Sequence, residues 1–528
     1  MGEALTLEQA IGQKLLLSFA GKDRPSPEIV ESMRRYQPAG VTLYRSLNVD
    51  TPAQVRRLTQ ALQQARREAN LPTLLIATDQ EGGQLMAVGQ GATQFPGNMA
   101  LGATGSEELA RRSGEAIGGE LAAMGINVNY APVCDVLTNL HNPAIGVRSF
   151  GSNPSLAARL GAALVDGLQS AGVAATAKHF PGLGDTAIDS HYATPVIPHN
   201  SERLRRVELQ PFEAAIQAGV RIVMAGHVAV PALTKSPDLP ATFSLAILQG
   251  LLRQEMGFEG VITSDALDMG PVGKGLGLAI DAIAAAAAGV DLFLFGPTTR
   301  DWEAIIPGLV QAVRRGLIGS GELEASAGRV LALKRWLAGY EQPPLDIVGC
   351  AEHKDLALEI ARRAVTLVRN AGGQIPVRLS TDERLLVVLP KPVDLTPADT
   401  SSYLNPSLAE FLRPYHAATE EIFIPMNPSE SEVAALVQRG QAYSQVIVGT
   451  INALDHPGQG ALVNRLLESG VTTSVAALRA PFDLLSFNAA PVYACTYSIQ
   501  PPSLQALAEA LLGYIPFAGT LPVELPGV

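Results

Sequence analysis

The polar side chains able to do chemistry fall at regular stations along the first half of the chain. Asp79, Asp135, the pair Lys178-His179, His227 and Asp265 each come at the end of, or just after, a short apolar or β-branched run. A single aspartate in that position is usually a helix cap or turn residue, because its carboxylate accepts from nearby backbone N–H groups. Five stations point further, since the carboxyl ends of parallel strands are where barrel enzymes collect their reactive groups. The densest stretch is Lys178-His179-Phe180-Pro181-Gly182-Leu183-Gly184-Asp185-Thr186-Ala187-Ile188-Asp189-Ser190-His191. Its glycines and proline read as a loop. Lys178 beside His179 offers hydrogen bonds to a polar ligand, and Asp189, two residues ahead of His191, can orient an imidazole. Such a pair serves as proton donor and acceptor. Taken alone, it is explained as well by Asp189 forming a turn and His191 lying on a surface loop.

Those stations need strands beneath them. The pattern predicts strands over 15–19, 41–44, 74–78, 128–131, 174–177, 222–224, 261–263 and 292–295, separated by helical stretches. Eight such units fit a closed (β/α)8 barrel of the TIM type, with an open doubly wound sheet as the alternative that periodicity leaves standing. A helix over 325–337 is followed by Glu341-Gln342-Pro343-Pro344, which a helix does not cross easily, so the barrel is expected to span 1–342. A linker and helix follow over 343–364, the helix setting in near Leu356. Residues 365–528 then show a second alternation, with strands at 385–389, 446–449, 473–477 and 492–496, read as a smaller α/β sandwich domain.

Composition agrees with two domains, since 528 residues exceed what one hydrophobic core usually organises. Hydrophobic residues at 47% and charged residues at 17% are a globular balance. A net charge of -11 offers no attraction to nucleic acid or an anionic membrane, and neither is expected as a partner. Cys134, Cys350 and Cys495 are too scattered for a disulfide framework or a zinc site. The first residues show no basic leader, and the apolar stretch 282–295 is broken by Gly289 and Asp291, short of the roughly 20 residues that span a bilayer. A cytoplasmic protein without metal or cofactor is expected, its oligomeric state open. Gly273-Lys274-Gly275-Leu276-Gly277 lacks the spacing of a phosphate loop and reads as flexible. His227 is either a pocket residue or a hydrogen-bonded wall.

The string K-H-F-P-G-x-G-x-x-x-x-D-S-H resembles the signature of the bacterial β-N-acetylglucosaminidase branch of glycoside hydrolase family 3, in its two-domain form. Thr78-Asp79-Gln80-Glu81-Gly82-Gly83, the segment from Asn127 through Val136, Ile145-Gly146-Val147-Arg148-Ser149-Phe150-Gly151 and the segment from Gly260 through Ser264-Asp265-Ala266-Leu267-Asp268-Met269 are similar to further family motifs, in family order. The resemblance implies that Asp265 is the nucleophile, that His191 supported by Asp189 is the acid/base, and that Asp79, Arg148, Lys178 and His179 bind hydroxyls of the terminal sugar. It implies an exo-acting, retaining hydrolase that frees terminal β-linked N-acetylglucosamine from small cell-wall or chitin fragments, as in peptidoglycan recycling. A β-glucosidase or β-xylosidase, a phosphorolytic variant and a non-catalytic sugar-binding relative are the alternatives. The chain departs from the family pattern at Leu183, where His is usual, and at Gln84, where Arg is frequent. In the second domain, the segment from Ala477 through Asp483 and Gly519-Thr520-Leu521-Pro522-Val523 fit the companion domain's pattern.

Overall fold

Short apolar strands carry the first half of the chain, as seen in a computed structural model that describes residues 5–274, 276–297 and 302–526. They are β1 (Leu15–Leu17), β2 (Gly40–Thr42), β3 (Leu75–Thr78), a hairpin of β4 (Gln80–Gly82) and β5 (Leu85–Met86), β6 (Val128–Asn129), β7 (Ala174–Phe180), β8 (Ile222–Ala225), β9 (Val261–Ala266) and β10 (Leu292–Leu294). The hairpin aside, they close in the order β1-β10-β9-β8-β7-β6-β3-β2. Every pairing in the ring is parallel, and β1 joins both β10 and β2, so no edge is left and the open sheet is excluded. Leu16, Leu75, Val128, Ala174, Ile222, Val261 and Leu292 form one inward cluster with Val330 and Leu333 of helix Ser320–Leu337. Lys334 of that helix bonds Gln13, just ahead of β1, at 3.0 Å. The helix therefore plugs the amino-terminal end and leaves the carboxyl end for a site.

Around the ring, Thr51, Ser106 and Asn153 cap helices Pro52–Glu68, Glu107–Ala123 and Pro154–Ser170, each accepting from the third helical N–H. The last two pack backbone to backbone. A Cβ placed on Gly167 would lie 2.0 Å from the Arg111 carbonyl oxygen, so only glycine allows that approach.

Strand ends shift from their expected positions by a few residues, and one shift matters. β7 runs on to Phe180, so Lys178 and His179 are strand residues and the loop begins only at Pro181. Leu276 and Gly277, expected in a flexible loop, open the helix Leu276–Ala288, while Gly275 lies outside the described residues.

The second half contains β11 (Thr366–Asn370), β12 (Leu385–Pro390), β13 (Thr419–Ile424), β14 (Gln445–Thr450), β15 (Thr473–Ala477) and β16 (Val492–Cys495). They form a sheet in the order β11-β16-β15-β14-β12-β13, parallel except for β11 against β16. Alternate residues of β12 serve opposite layers. Leu386 and Val388 pack with Leu436 and Leu462, whereas Leu385, Val387 and Leu389 pack with Leu504, Leu507 and Leu511. The strands β11 and β13 were not expected, and they are the two edges, half-buried and interrupted by Arg369, Glu420 and Glu421. An edge strand shows water one side, which blurs the apolar run that marks a central parallel strand.

Helix Ala351–Ala364 packs on both Asn98–Thr104 of the barrel and Pro501–Leu511 of the second sheet. The halves are also joined by polar contacts around the β4-β5 turn. Thr400 donates to the Gln84 carbonyl from its N–H at 2.9 Å and its hydroxyl at 2.8 Å. Gln500 reaches the Gly83 carbonyl at 2.6 Å, and Arg479 pairs with Asp399 at 2.8 Å while donating to the Gln84 side-chain oxygen. Arg479 and Asp399 are both buried. Replacing Arg479 by Met should cost about 3–5 kcal/mol by leaving the Asp399 carboxylate without its cation. Thermal unfolding reads the loss, and adding Asp399→Asn to the same chain should recover part of it.

Candidate active site

A cavity of about 470 Å³ opens at the carboxyl end of the barrel. Six of the seven residues given roles by the family resemblance line it: Asp79, Arg148, Lys178, His179, His191 and Asp265. Asp189 stands just behind His191. Each is delivered by the end of a strand or by the loop that follows.

The floor is a chain of alternating charges. The Lys178 ammonium lies 2.7 Å from Asp79 Oδ1 and 2.7 Å from Glu81 Oε1. Glu81 in turn receives a two-pronged contact from Arg148, Nε to Oε2 at 2.9 Å and Nη2 to Oε1 at 2.8 Å, and Arg148 Nη1 donates to the Ala144 carbonyl at 2.9 Å. Burial by itself would raise the Glu81 carboxyl, but Arg148 and Lys178 outweigh it and bring it down to about 2. Burial would likewise lower the Lys178 ammonium, and Asp79 and Glu81 reverse that, so it is held above its usual value. Arg148 is held above its usual value for the same reason, Glu81 overcoming the burial. The cations are therefore permanent.

The histidines are oriented by carboxylates. Asp135, wholly buried, contacts His179 Nδ1 at 2.7 Å and receives the Leu183 backbone N–H at 2.7 Å. Asp189 contacts His191 Nδ1 at 2.6 Å and receives the His191 backbone N–H at 2.9 Å. Burial would raise the Asp189 carboxyl; the hydrogen bonds from His191 more than offset it, and it sits below its usual range. An ionised Asp189 fixes the Nδ1–H tautomer of neutral His191 and leaves Nε2 for the cavity.

The loop bearing this pair is pinned along its length. Gly184 rests on β6's following segment, where a Cβ would come within 1.9 Å of the Val136 carbonyl oxygen. Asn142 donates to the Leu183 carbonyl at 2.7 Å, and the Gly270 N–H donates to the His191 carbonyl at 3.0 Å. Asp185 bonds His199, and with Glu208 these form the one group of three His, Cys, Asp or Glu residues among the described residues whose ligand atoms converge, within 4.8 Å. Arg203 lies 3.3 Å from Glu208 and 3.8 Å from Asp185. A guanidinium there supplies the positive charge a metal would bring, so the cluster reads as an ionic anchor.

Asp265, near the end of β9, accepts from the Ala266 N–H at 2.8 Å. Burial would raise its carboxyl, but the imidazoles of His179, His227 and His191 draw it below the usual aspartate range. It is ionised near neutral pH. His227 is wholly buried, its Nε2 3.0 Å from the Ala266 carbonyl and its Nδ1 2.9 Å from the Thr242 hydroxyl, so it is a wall beneath Asp265.

Sequence reasoning named Glu81 and Asp268 only as parts of motifs and assigned them no role, and it singled out neither Tyr44 nor the second-domain residues that line the cavity, Asp394 and Tyr403 among them. The second acid two residues after Asp79, followed by a glycine pair in Asp79-Gln80-Glu81-Gly82-Gly83, was the available signal for Glu81. Leu183 does line the cavity, with its backbone rather than its side chain doing the bonding. Gln84 faces the second domain and not the floor.

An ionised carboxylate and an aspartate-oriented imidazole in one cavity, over a floor of fixed charges, define an acid/base enzyme for a polar small molecule. Comparison with known proteins narrows the class. The Glycosyl hydrolase family 3 N terminal domain matches residues 6–333. Beta-hexosaminidase A of Pseudoalteromonas piscicida is 31% identical, over 99% of this chain and 97% of the relative. A protein of Cellulomonas fimi described as beta-N-acetylglucosaminidase/beta-glucosidase is 30% identical, over 99% of this chain and 94% of its own length. The solved structure of a glycoside hydrolase family 3 beta-N-acetylglucosaminidase from a Paenibacillus species superposes with a TM-score of 0.93 at 38% identity, covering 99% of both chains. This chain belongs to glycoside hydrolase family 3 and is a glycosidase.

Glu81→Gln tests the floor. It leaves two buried cations sharing one carboxylate, and about 3–5 kcal/mol of stability should be lost at pH 7. Because the folded-state carboxyl is depressed from 4.5 to about 2, its contribution is full above pH 4.5 and fades as pH falls through 2. The gap in unfolding free energy between wild type and variant should therefore narrow over that window.

Proposed function

We propose that the protein removes terminal β-linked N-acetylglucosamine, one residue at a time, from small soluble glycosides such as cell-wall or chitin fragments, as peptidoglycan recycling would require. The observation that carries this is the His191-Asp189 pair facing the same cavity as Asp265, supported by relatives that bear beta-hexosaminidase names. Asp265 attacks the anomeric carbon, while protonated His191 donates from Nε2 to the departing oxygen, giving a covalent glycosyl-enzyme. Neutral His191 then takes a proton from water as that water attacks the same carbon and Asp265 leaves. Asp189 stays ionised and holds the imidazole through both steps. The lowered Asp265 carboxyl suits a nucleophile that must be charged when substrate arrives.

Asp79, Arg148, Lys178 and His179 bind the terminal sugar's hydroxyls. Charge-assisted hydrogen bonds on a buried floor favour a chain end over an internal residue, hence exo action. The division of the chain we take is a catalytic barrel over 1–342, a bridge over 343–364 and a companion domain over 365–528. Three free thiols, two of them buried, suit a reducing, cytoplasmic compartment. Among the described residues no helix is long and apolar enough to cross a membrane.

A second reading, β-glucoside cleavage by the same machinery, is favoured by the double description of the Cellulomonas relative. Comparing p-nitrophenyl β-N-acetylglucosaminide with the matching β-glucoside separates the two, and the first should be the better substrate. Asp265→Asn should lower turnover at least about 10³-fold at an unchanged melting temperature. His191→Ala should cost about 10²–10⁴-fold on alkyl glycosides and far less on aryl glycosides with good leaving groups, which need little proton donation. Equal losses on both would remove His191 from the acid role.

A further inference from the structure

We propose that the barrel carries a second binding site at its amino-terminal foot, where the buried Lys14 ammonium and the Ser326 hydroxyl receive the carboxylate of a small organic monoanion. The site is separate from the sugar cavity, which opens at the opposite end of the strands.

A cavity of about 400 Å³ lies there, between the plug helix Ser320–Leu337, the helical segment Ala246–Glu255 and the end of helix Leu276–Ala288. Lys14, one residue ahead of β1, and Asp291, one residue ahead of β10, belong to its inner wall. Lys14 is 3% exposed, and its Nζ donates to the Val290 carbonyl at 2.6 Å and to the Ser326 hydroxyl at 2.7 Å. An ammonium has three hydrogens, so one is left over, and the Ser326 hydroxyl, which accepts from Lys14, keeps its own hydrogen to donate. Two donors on neighbouring heavy atoms match the two oxygens of a carboxylate.

The charges in this wall do not balance. Two acids line the cavity, and only Asp291 is buried. It is already engaged by Arg253 at 2.8 Å, by Arg329 at 2.8 Å and by the Ile262 N–H at 2.9 Å. Glu322 is exposed at the edge, where water screens its field. Among the described residues no carboxylate pairs with Lys14. Burial pushes its ammonium down to about 8, with Asp291 and Glu322 pulling upward and Arg329 downward. A buried cation without a direct counter-ion destabilises the fold around it. One negative charge in the cavity relieves that, whereas a dianion would leave an excess of the other sign. The remaining lining suits an organic body more than a bare ion. Gln249 and Gln254 offer side-chain amides, and Ala286, Ala287 and Leu323 offer apolar contact. Gly289 makes room for Gln249, since a Cβ there would lie 1.8 Å from Nε2. The volume is far too large for a halide and falls in the range of small-molecule sites.

Titration calorimetry on the full chain at pH 7, with N-acetylglucosamine in excess to occupy the sugar cavity, compares gluconate, the neutral polyol sorbitol and sulfate. Gluconate should bind with a Kd of about 1 mM or below, and sorbitol and sulfate at least about tenfold more weakly. Lys14→Met should abolish gluconate binding and Ser326→Ala should weaken it about 5–10-fold, both with unchanged turnover of p-nitrophenyl β-N-acetylglucosaminide. Retained turnover beside lost binding assigns the heat to this site, whatever sugar the other cavity prefers. Because the carboxylate pairs with the ammonium form alone, the wild-type Kd should be about tenfold higher at pH 9 than at pH 7, as Lys14 loses its proton through about 8. No binding of gluconate, equal binding of sorbitol or sulfate, or gluconate binding retained in Lys14→Met overturns the proposal. Should Lys14→Met fail to fold, a flat pH profile together with an unaltered Kd in Ser326→Ala overturns it instead.

Discussion

Glu81 accepts from both cations of the cavity floor, and much of the site depends on that one carboxylate. Two positive side chains buried within reach of each other repel, and each has lost its water, so neither would stay charged and in place without a shared counter-ion. Glu81 supplies it to Lys178 with one oxygen and to Arg148 with both. Asp79 is then free to share Lys178 while a quarter of its side chain stays open to the cavity. The floor is neutral in sum and polarised in detail, which is what a hydroxyl-rich ligand needs: fixed donors and acceptors at known positions and no net charge to expel.

The same logic of one group held by another runs up the walls. Asp135 sets His179, Asp189 sets His191, and three imidazoles in turn keep Asp265 ionised despite its burial. In the two aspartate–histidine pairs a short contact fixes the tautomer, and around Asp265 the field of the imidazoles holds the charge. Preorganisation of this kind shifts its cost to folding, since the dipoles need not turn during the reaction. It also explains why the loop after β7 is bonded so thoroughly at Asn142, Gly184, Asp185 and Gly270. A loosely held imidazole would give up the orientation that Asp189 provides.

The second domain takes part through the β4-β5 turn. That turn carries Asp79 and Glu81 on its approach and Gln84 at its tip, so the segment forming the floor is also the segment gripped by Thr400, Arg479 and Gln500. Domain docking and floor geometry are coupled through a few residues of chain. The two departures from the family pattern divide accordingly: Leu183 contributes backbone bonds and an apolar wall, whereas Gln84 belongs to the joint.

How much of this could be read from the chain alone follows the range of the interactions. Six of the eight barrel strands were recognisable within a residue or two because central parallel strands are apolar throughout, the other two running three residues further into polar positions, and Asp79, Lys178, His179, Asp189, His191 and Asp265 stood out because chemistry at strand ends leaves local motifs. Arg148 was found only through its resemblance to a family motif. The edge strands β11 and β13 were hidden because one flank of each meets water, and β7's last residues because Lys178 and His179 are too polar to look like a strand. Glu81 and Arg148 are 67 positions apart and Gln84 and Arg479 are 395 apart. No local pattern encodes such pairs. The sequence by itself determined the strand and helix periods, the reactive residue types and their stations, because those depend on neighbours a few residues away. The tertiary structure alone decided which charges share a counter-ion, which nitrogen of each histidine faces the cavity and which residues of the second domain close its rim, because burial and charge pairing act between groups that only folding brings together.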